Sequence, residues 1–222
     1  MIRIALDGPS GAGKSTVAKA LAKRLGIIYV DTGALYRTIG LYVKRKGVDK
    51  TDIEGVISLL PEIDLNMEFI DGEQVITLNG ERVGDNIRTG EIAMYASAVS
   101  AIPQVRSFLL KTQRDIAGKN SVVMDGRDIG TVIIPDAEVK VFMVASAEAR
   151  AKRRYNELIA KGEECTFEGV LADIVLRDKN DSTRATAPCV PAEDAVIFDN
   201  SELDVEGSVD GVIEIIKSKV EI

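Results

Sequence analysis

The sequence predicts an α/β fold, a five-stranded parallel sheet flanked by helices and interrupted by a small antiparallel β insertion. Three features predict it. Residues 8–16 read Gly-Pro-Ser-Gly-Ala-Gly-Lys-Ser-Thr and lie between an apolar run and an apolar-periodic segment, the order of strand, glycine-rich turn and helix. Short apolar runs then alternate with segments of helical period, and an unbroken apolar run marks a strand covered on both faces. In one stretch this rhythm gives way to β-prone runs separated by Asp71-Gly72 and Asn79-Gly80, dipeptides that favour tight hairpins. The 222 residues suffice for one such domain with a buried core.

Residues 2–6 form the first buried strand and 17–25 the first helix. Residues 27–30 read as the second strand, ending at Asp31-Thr32-Gly33. The helix that follows, 34–46, has Leu35, Ile39, Tyr42 and Val43 in phase and Gly47 as its stop. Residues 52–60 make a short helix closed by Pro61. The runs 65–70, 74–78 and 81–83 form an antiparallel meander. It falls in a stretch, 51–81, with eight acidic residues and no basic one, which reads as a solvated face. Residues 89–100 and 103–117 are helical, with Pro103 in a first turn where its missing N–H is no loss. Strands at 121–124 and 139–145 follow, then helices at 147–161 and 167–178. A polar loop at 179–186, a last strand at 195–198 and a last helix at 208–219 complete the chain.

Composition narrows the chemistry. The absence of histidine excludes Ser-His-Asp triads, imidazole acid–base catalysis and His-ligated zinc. A formal charge of −7 argues against a general nucleic-acid binder. Cys165 and Cys189 make neither a disulfide framework nor a metal-binding spacing, and read as ordinary thiols of a reducing compartment. Asp7 and the glycines after it break the first apolar run. No signal peptide or membrane span is therefore expected, and the protein is expected in the cytoplasm.

In its strand–turn–helix setting, the 8–16 segment has the form of a Walker A phosphate loop. Its glycines let backbone N–H groups converge on phosphate oxygens, and the helix adds the positive end of its dipole. Lys14 is placed to reach the β- and γ-phosphates, and the Ser15 hydroxyl to ligate Mg²⁺. A nucleoside triphosphate is the ligand this implies. The guanine-reading Asn-Lys-x-Asp motif is absent; Lys179-Asn180-Asp181 lacks that order. Arginines mark the C-terminal ends of the parallel strands, where ligands bind in such sheets. Arg37 follows the second strand, Arg127 the third, and Arg150, Arg153 and Arg154 share a helix face after the fourth. Arg177 and Arg184 bracket the polar loop. Such a ring suits two anionic substrates brought together, more than it suits a triphosphate-bound switch.

Beyond the phosphate loop stand Asp31-Thr32-Gly33-Ala34-Leu35-Tyr36-Arg37 and Asp125-Gly126-Arg127-Asp128-Ile129-Gly130-Thr131. Arg177-Asp178, Asp181 through Arg184-Ala185, and Ala187-Pro188 complete the set. With these motifs the sequence resembles the bacterial cytidylate kinases, in order along essentially the whole chain. The resemblance implies a P-loop kinase fold forming a single domain over 1–222, with core 1–60, 84–149 and 186–222. It puts the antiparallel insertion at about 61–83, in the nucleoside-monophosphate-binding region, and a short helical lid at about 150–185.

The resemblance further implies Mg²⁺-dependent, in-line transfer of the γ-phosphoryl of ATP to CMP and dCMP. ATP would lie on Gly8, Pro9, Ser10, Gly11, Ala12, Gly13, Lys14, Ser15 and Thr16, with Mg²⁺ held by Ser15 and, through water, Asp125. Arg37, Arg127 and Arg184 would hold the CMP phosphate, and Arg177 and Asp181 the sugar. Ser97, Arg106 and Asp128 would read cytosine. Thr32, where many members have Ser, keeps a hydroxyl beside the base and adds a methyl. Lys14, Arg127, Arg184 and Arg153 would be the catalytic cations. ATP and CMP or dCMP are the expected partners of a monomer that engages neither nucleic acid nor membrane.

Overall fold

The structure is a computed structural model and describes residues 1–221. Strand β1 (Arg3–Asp7) is buried from Ile4 onward, and helix α1 (Lys14–Leu25) ends at a left-handed Gly26. Strand β2 (Ile28–Asp31) runs into α2 (Thr32–Arg45), whose first turn is capped by the Asp31 carboxylate accepting from the Ala34 N–H. The short α3 (Ile53–Leu59) precedes strands β3 (Leu65–Ile70), β4 (Glu73–Leu78) and β5 (Glu81–Arg82). Helices α4 (Gly90–Val99) and α5 (Pro103–Lys119) lead to β6 (Val122–Asp125) and β7 (Val139–Val144). The chain closes with α6 (Ala147–Ala160), α7 (Phe167–Thr183), β8 (Val196–Asp199) and α8 (Val205–Lys219). Asp52, Thr89, Ser146, Thr166 and Asp204 cap α3, α4, α6, α7 and α8 as Asp31 caps α2, each satisfying an N–H that no helical carbonyl can reach.

The strands form a five-stranded parallel sheet in the order β2-β6-β1-β7-β8 and an antiparallel sheet β3-β4-β5. By compactness the chain divides into one unit of residues 1–27 and 121–222 and another of 28–120. In the first, β1 is central, with Leu6 opposite Asp125 on one side and Val141 on the other. This register brings the ends of β1 and β6, and the loops after them, to one level. Helices α6 and α7 carry a small core of their own, Ala151, Val170 and Ile174, with Tyr155 edge-on to Phe167 at 6.3 Å between ring centres. Cys165 lies in this cluster.

In the second unit the two hairpins turn at Asp71-Gly72 and Asn79-Gly80, with all four residues at positive φ. That is the backbone an Asn-Gly or Asp-Gly turn supplies with least strain. The acids of this stretch are solvent-exposed, as the sequence suggests, and two of them also pair with the end of α2. Glu62 accepts from the Tyr42 hydroxyl at 2.9 Å and the Lys46 ammonium at 2.6 Å, and Glu81 takes both terminal nitrogens of Arg45. The acids dock on the basic C-terminal end of α2, where the helix dipole favours cations.

In the C-terminal half of the chain, two boundaries differ from the sequence expectation by three residues or more. Helix α7 continues to Thr183 through what reads as a polar loop, because Asp178 and Asp181 spend their charge on arginines and not on solvent. Helix α8 begins at Val205 because Asp204 caps it. Among the described residues no helix is long and apolar enough to cross a membrane.

Candidate active site

The phosphate loop joins β1 to α1. Gly8 lies so close to β7 that a Cβ there would fall 2.0 Å from the Met143 carbonyl oxygen, so no side chain fits. Three loop carbonyls are held by side chains. Pro9 O accepts from Lys14 Nζ at 2.6 Å, Ser10 O from Arg150 Nη1 at 3.0 Å and Ala12 O from Asn200 Nδ2 at 3.0 Å. In a trans peptide the carbonyl and the next N–H point opposite ways, so the amides of Gly11 and Gly13 turn away from Arg150 and Asn200. N–H groups left free in such a loop suit an anion. Lys14 is buried, and desolvation, with the Arg127 guanidinium acting in the same sense, pushes its ammonium down to about 7. A charge held this reluctantly is one that phosphate oxygens would stabilise.

Ser15 Oγ donates to Asp125 Oδ2 at 2.6 Å. A hydroxyl and a carboxylate are hard oxygen donors that fit Mg²⁺, and two protein ligands suit an ion that keeps its waters and takes phosphate oxygens. No group of three or more His, Cys, Asp or Glu able to hold a metal occurs among the described residues. The segment after β6 is fastened by Asp7, a residue the sequence reading passed over. Its two oxygens accept from the N–H groups of Ile129 and Gly130 at 2.8 and 2.7 Å. Burial pushes this carboxyl up to about 6 although both N–H groups favour its charged form. The bonds fix a wide turn over Ile129–Ile133, in which Ile133 N–H reaches Asp128 O and Ile134 N–H reaches Ile129 O. Asp128, buried, stands at its start.

Asp181 on α7 gathers three arginines. Arg127 Nε donates to Oδ2 at 3.0 Å, while Arg177 Nε and Arg184 Nη1 lie 4.0 Å from its oxygens. Burial alone would lower the Arg127 guanidinium; the Asp181 charge and hydrogen bond, together with neighbouring Cys189 and Asp125, outweigh it, so the arginine stays fully charged. Arg184 is further held by Nε donating to the Ala187 carbonyl at 2.7 Å. Three guanidinium groups against one carboxylate leave an excess of positive charge that a dianion would neutralise.

The α6 arginines do not act as a set. Arg150 is buried and forms a bidentate pair with Asp178 at 2.9 and 2.6 Å. Arg153 donates to backbone carbonyls after β8, those of Asn200 at 2.6 Å and Leu203 at 3.3 Å. Arg154 is exposed and pairs with Glu157.

In the second unit α2 and the α4–α5 corner bring together the remaining groups. Arg37 Nη2 donates to Asp31 Oδ2 at 2.6 Å, and its Nε is buried with no hydrogen-bond partner. Arg106 lies over the Tyr36 ring at 5.4 Å and donates to the Ser100 carbonyl at 3.1 Å. Thr32 is buried at the start of α2, and Ser97 is half-buried in the last turn of α4. An anionic ligand would satisfy the buried Arg37 N–H that no protein group accepts.

The cytidylate kinase family profile matches residues 4–218. The chain belongs to that family. A cytidylate kinase of Thermosipho melanesiensis is 50% identical over 218 residues, 98% of this chain and 97% of that one. One from Caldicellulosiruptor saccharolyticus is 47% identical over 214 residues, 96% and 95% of the two chains. Among solved structures, the shikimate kinase of Bacteroides thetaiotaomicron covers 97% of this chain with a TM-score of 0.51 at 18% identity, a likeness of fold alone.

Within this cytidylate kinase chain, the residues to which the sequence assigned no site role share one property. Asp7, Asp31, Gln74, Asp178 and Asn200 use their polar atoms on other protein groups, as does Arg150, which the sequence had placed in the arginine ring. Asp7 had a signal, a carboxylate at the end of a strand otherwise buried and apolar. Asp31 and Asp178 stand inside quoted motifs that gave them no role, and the partners of Gln74 and Asn200 are set by three-dimensional packing.

Proposed function

We propose a division of labour for the transfer of the γ-phosphoryl group of ATP to CMP, the reaction of the family to which the chain belongs. ATP binds along Gly8–Thr16 with its phosphates on the loop amides and Lys14. Arg37, Arg127 and Arg184 clamp the phosphate of CMP, Arg177 and Asp181 hold the sugar, and dCMP is accepted as well. Ser97, Arg106 and Asp128 read the base beside Thr32. Cytosine offers an amino donor at C4 and an acceptor at N3; a carboxylate can only accept and a guanidinium only donate, so Asp128 faces the amino group and Arg106 faces N3 or the C2 carbonyl. Uracil reverses both groups and would leave buried partners unpaired.

The acceptor phosphate has a second pKa of about 6 and is already largely a dianion at neutral pH, so no residue has to remove a proton. One of its oxygens bonds to the γ-phosphorus as the bond to the bridging oxygen breaks, and ADP leaves with the electron pair. Lys14, Arg127, Arg184 and Arg153 are the cations assigned to the developing charge, and the α6–α7 lid excludes the water that would compete as acceptor. Mg²⁺ bound by Ser15, with Asp125 acting through water, would neutralise charge on the β- and γ-phosphates. Acting as a cytoplasmic monomer is part of the same reading.

The observation that carries this reading is the placement of Arg127, Arg177 and Arg184 about one carboxylate in a chain with a complete phosphate loop. Initial rates for every ribo- and deoxynucleoside monophosphate with ATP test it. ADP release should depend on CMP or dCMP, and release equally fast without any monophosphate would sink it.

A further inference from the structure

The antiparallel insertion does more than cover α2. Gln74 on β4 places its carboxamide against the backbone of Asp31, at the end of β2. Its Oε1 accepts from the Asp31 N–H at 2.7 Å and its Nε2 donates to the Asp31 carbonyl at 3.2 Å. The side chain thereby imitates a neighbouring strand, because an extended residue presents its N–H and carbonyl on one edge and a carboxamide matches both. Asp31 is extended, with φ −81° and ψ 94°.

With both backbone groups fixed, the direction of the Asp31 side chain is fixed too, and both its oxygens are committed. Oδ1 accepts from the Ala34 N–H at 2.9 Å as the cap of α2, and Oδ2 accepts from Arg37 Nη2 at 2.6 Å. The space for this arrangement is left by Gly33, where a Cβ would lie 3.0 Å from Arg37 Nη1 and 3.2 Å from Asp31 Oδ1. Arg37 retains a buried Nε–H without an acceptor. A long arginine in a surface cleft would sample several rotamers; here it is held at one end by a carboxylate that is itself held by the insertion.

We propose that Gln74 is a positioning residue for the acceptor phosphate. Through Asp31 it presents Arg37 in the orientation that the incoming monophosphate requires. The inference rests on the assignment of Arg37 to the CMP phosphate. It gives the insertion a role in catalysis that its acidic composition conceals. Along β4, residues 74, 76 and 78 share the face that carries the buried Ile76 and Leu78, so Gln74 is a polar group in the phase of the apolar face.

The test compares Gln74→Met, which keeps the length and loses both hydrogen bonds, with Gln74→Glu, which keeps the acceptor but sets a carboxylate oxygen against the Asp31 carbonyl. KM for CMP should rise about fivefold to twentyfold in Gln74→Met and at least as much in Gln74→Glu, while KM for ATP stays within about twofold. Inhibition by cytidine, which has no phosphate, should be unchanged, a split that general loosening of the fold would not produce. In an Arg37→Ala background, itself raised in KM for CMP, Gln74→Met should add nothing further. Equal losses for ATP and CMP, a parallel loss of cytidine affinity, or a full effect of Gln74→Met without Arg37 would each overturn the proposal. If Gln74→Met were silent while Arg37→Ala raised KM for CMP, the positioning role alone would fall. If Arg37→Ala left KM for CMP unchanged, the assignment of Arg37 would fall and the proposal with it.

Discussion

Two buried charges at the phosphate loop are held against their solvation preference. Lys14 is held down to about 7 and Asp7 up to about 6, both chiefly by desolvation. At Asp7 the Ile129 and Gly130 N–H groups offset part of that cost, whereas at Lys14 it lowers the stability of the empty protein and a bound phosphate would relieve it. For Lys14→Met the expectation follows directly. Turnover should fall by several orders of magnitude, while the melting temperature of the ligand-free protein at pH 7 rises by a few degrees. A variant within about threefold of the parent in kcat would remove Lys14 from the transition state. For Asp7 the sign is opposite in pH. Its folded value, about 6, exceeds the ordinary 3.8, so the stability it contributes is complete below about pH 3.8 and is lost as pH rises through about 6. Asp7→Asn cannot titrate, so its deficit in stability relative to the parent should shrink between pH 4 and 7 and stay constant above. Melting curves of the two proteins across that range check it, and a gap that widened with pH would refute the assignment.

The α6–α7 hairpin shows how an element places a residue at the phosphate loop. Arg150 lies on α6, its partner Asp178 lies on α7, and its other bonds go to the Ala145 and Ser10 carbonyls. Removing Asp178 leaves a buried, uncompensated guanidinium, a change that costs roughly 3–5 kcal/mol where it has been measured. Asp178→Ala should therefore lower the melting temperature sharply and raise KM for ATP. The pair Arg150→Met, Asp178→Leu should recover most of the stability, since apolar groups of similar volume replace a buried ion pair well. It should not recover ATP affinity, because nothing then holds the Ser10 peptide. Recovery of both would show that Arg150 contributes packing alone. At this scale the sequence was legible wherever pattern governs. The strands, both hairpins and the start of α5 fall where apolar runs, Asp-Gly and Asn-Gly turns and Pro103 put them. It was illegible where a polar side chain serves a partner far along the chain. The last turns of α7 carry no apolar period, and their reason for being helical is Arg127 and Arg150, which lie 54 and 28 positions from Asp181 and Asp178. The wide turn at Ile129–Ile133 depends in the same way on Asp7, 122 positions from Ile129.

For the molecule as a whole, net charge and local charge point in opposite directions. The chain carries −7, yet both substrates are anions. Acids of the insertion do not reinforce that repulsion fully, since Glu62 is paired with Lys46 and Glu81 with Arg45. The site itself concentrates Arg127, Arg177 and Arg184 on a single carboxylate. Charges beyond about 10 Å are largely screened at 0.1 M salt, so net charge counts for less at the site than the arginines gathered there. Added salt must then weaken capture, as it does wherever a local field draws in a ligand of opposite charge. Between about 0.05 and 0.25 M potassium chloride, at saturating ATP and Mg²⁺, kcat/KM for CMP should fall about threefold to tenfold, mostly through KM. Arg184→Ala should start lower and depend less on salt, because one of the charges being screened is gone. Were kcat/KM to rise with salt instead, the −7 of the whole chain would govern the encounter, and the excess positive charge around Asp181 could not be what captures the substrate.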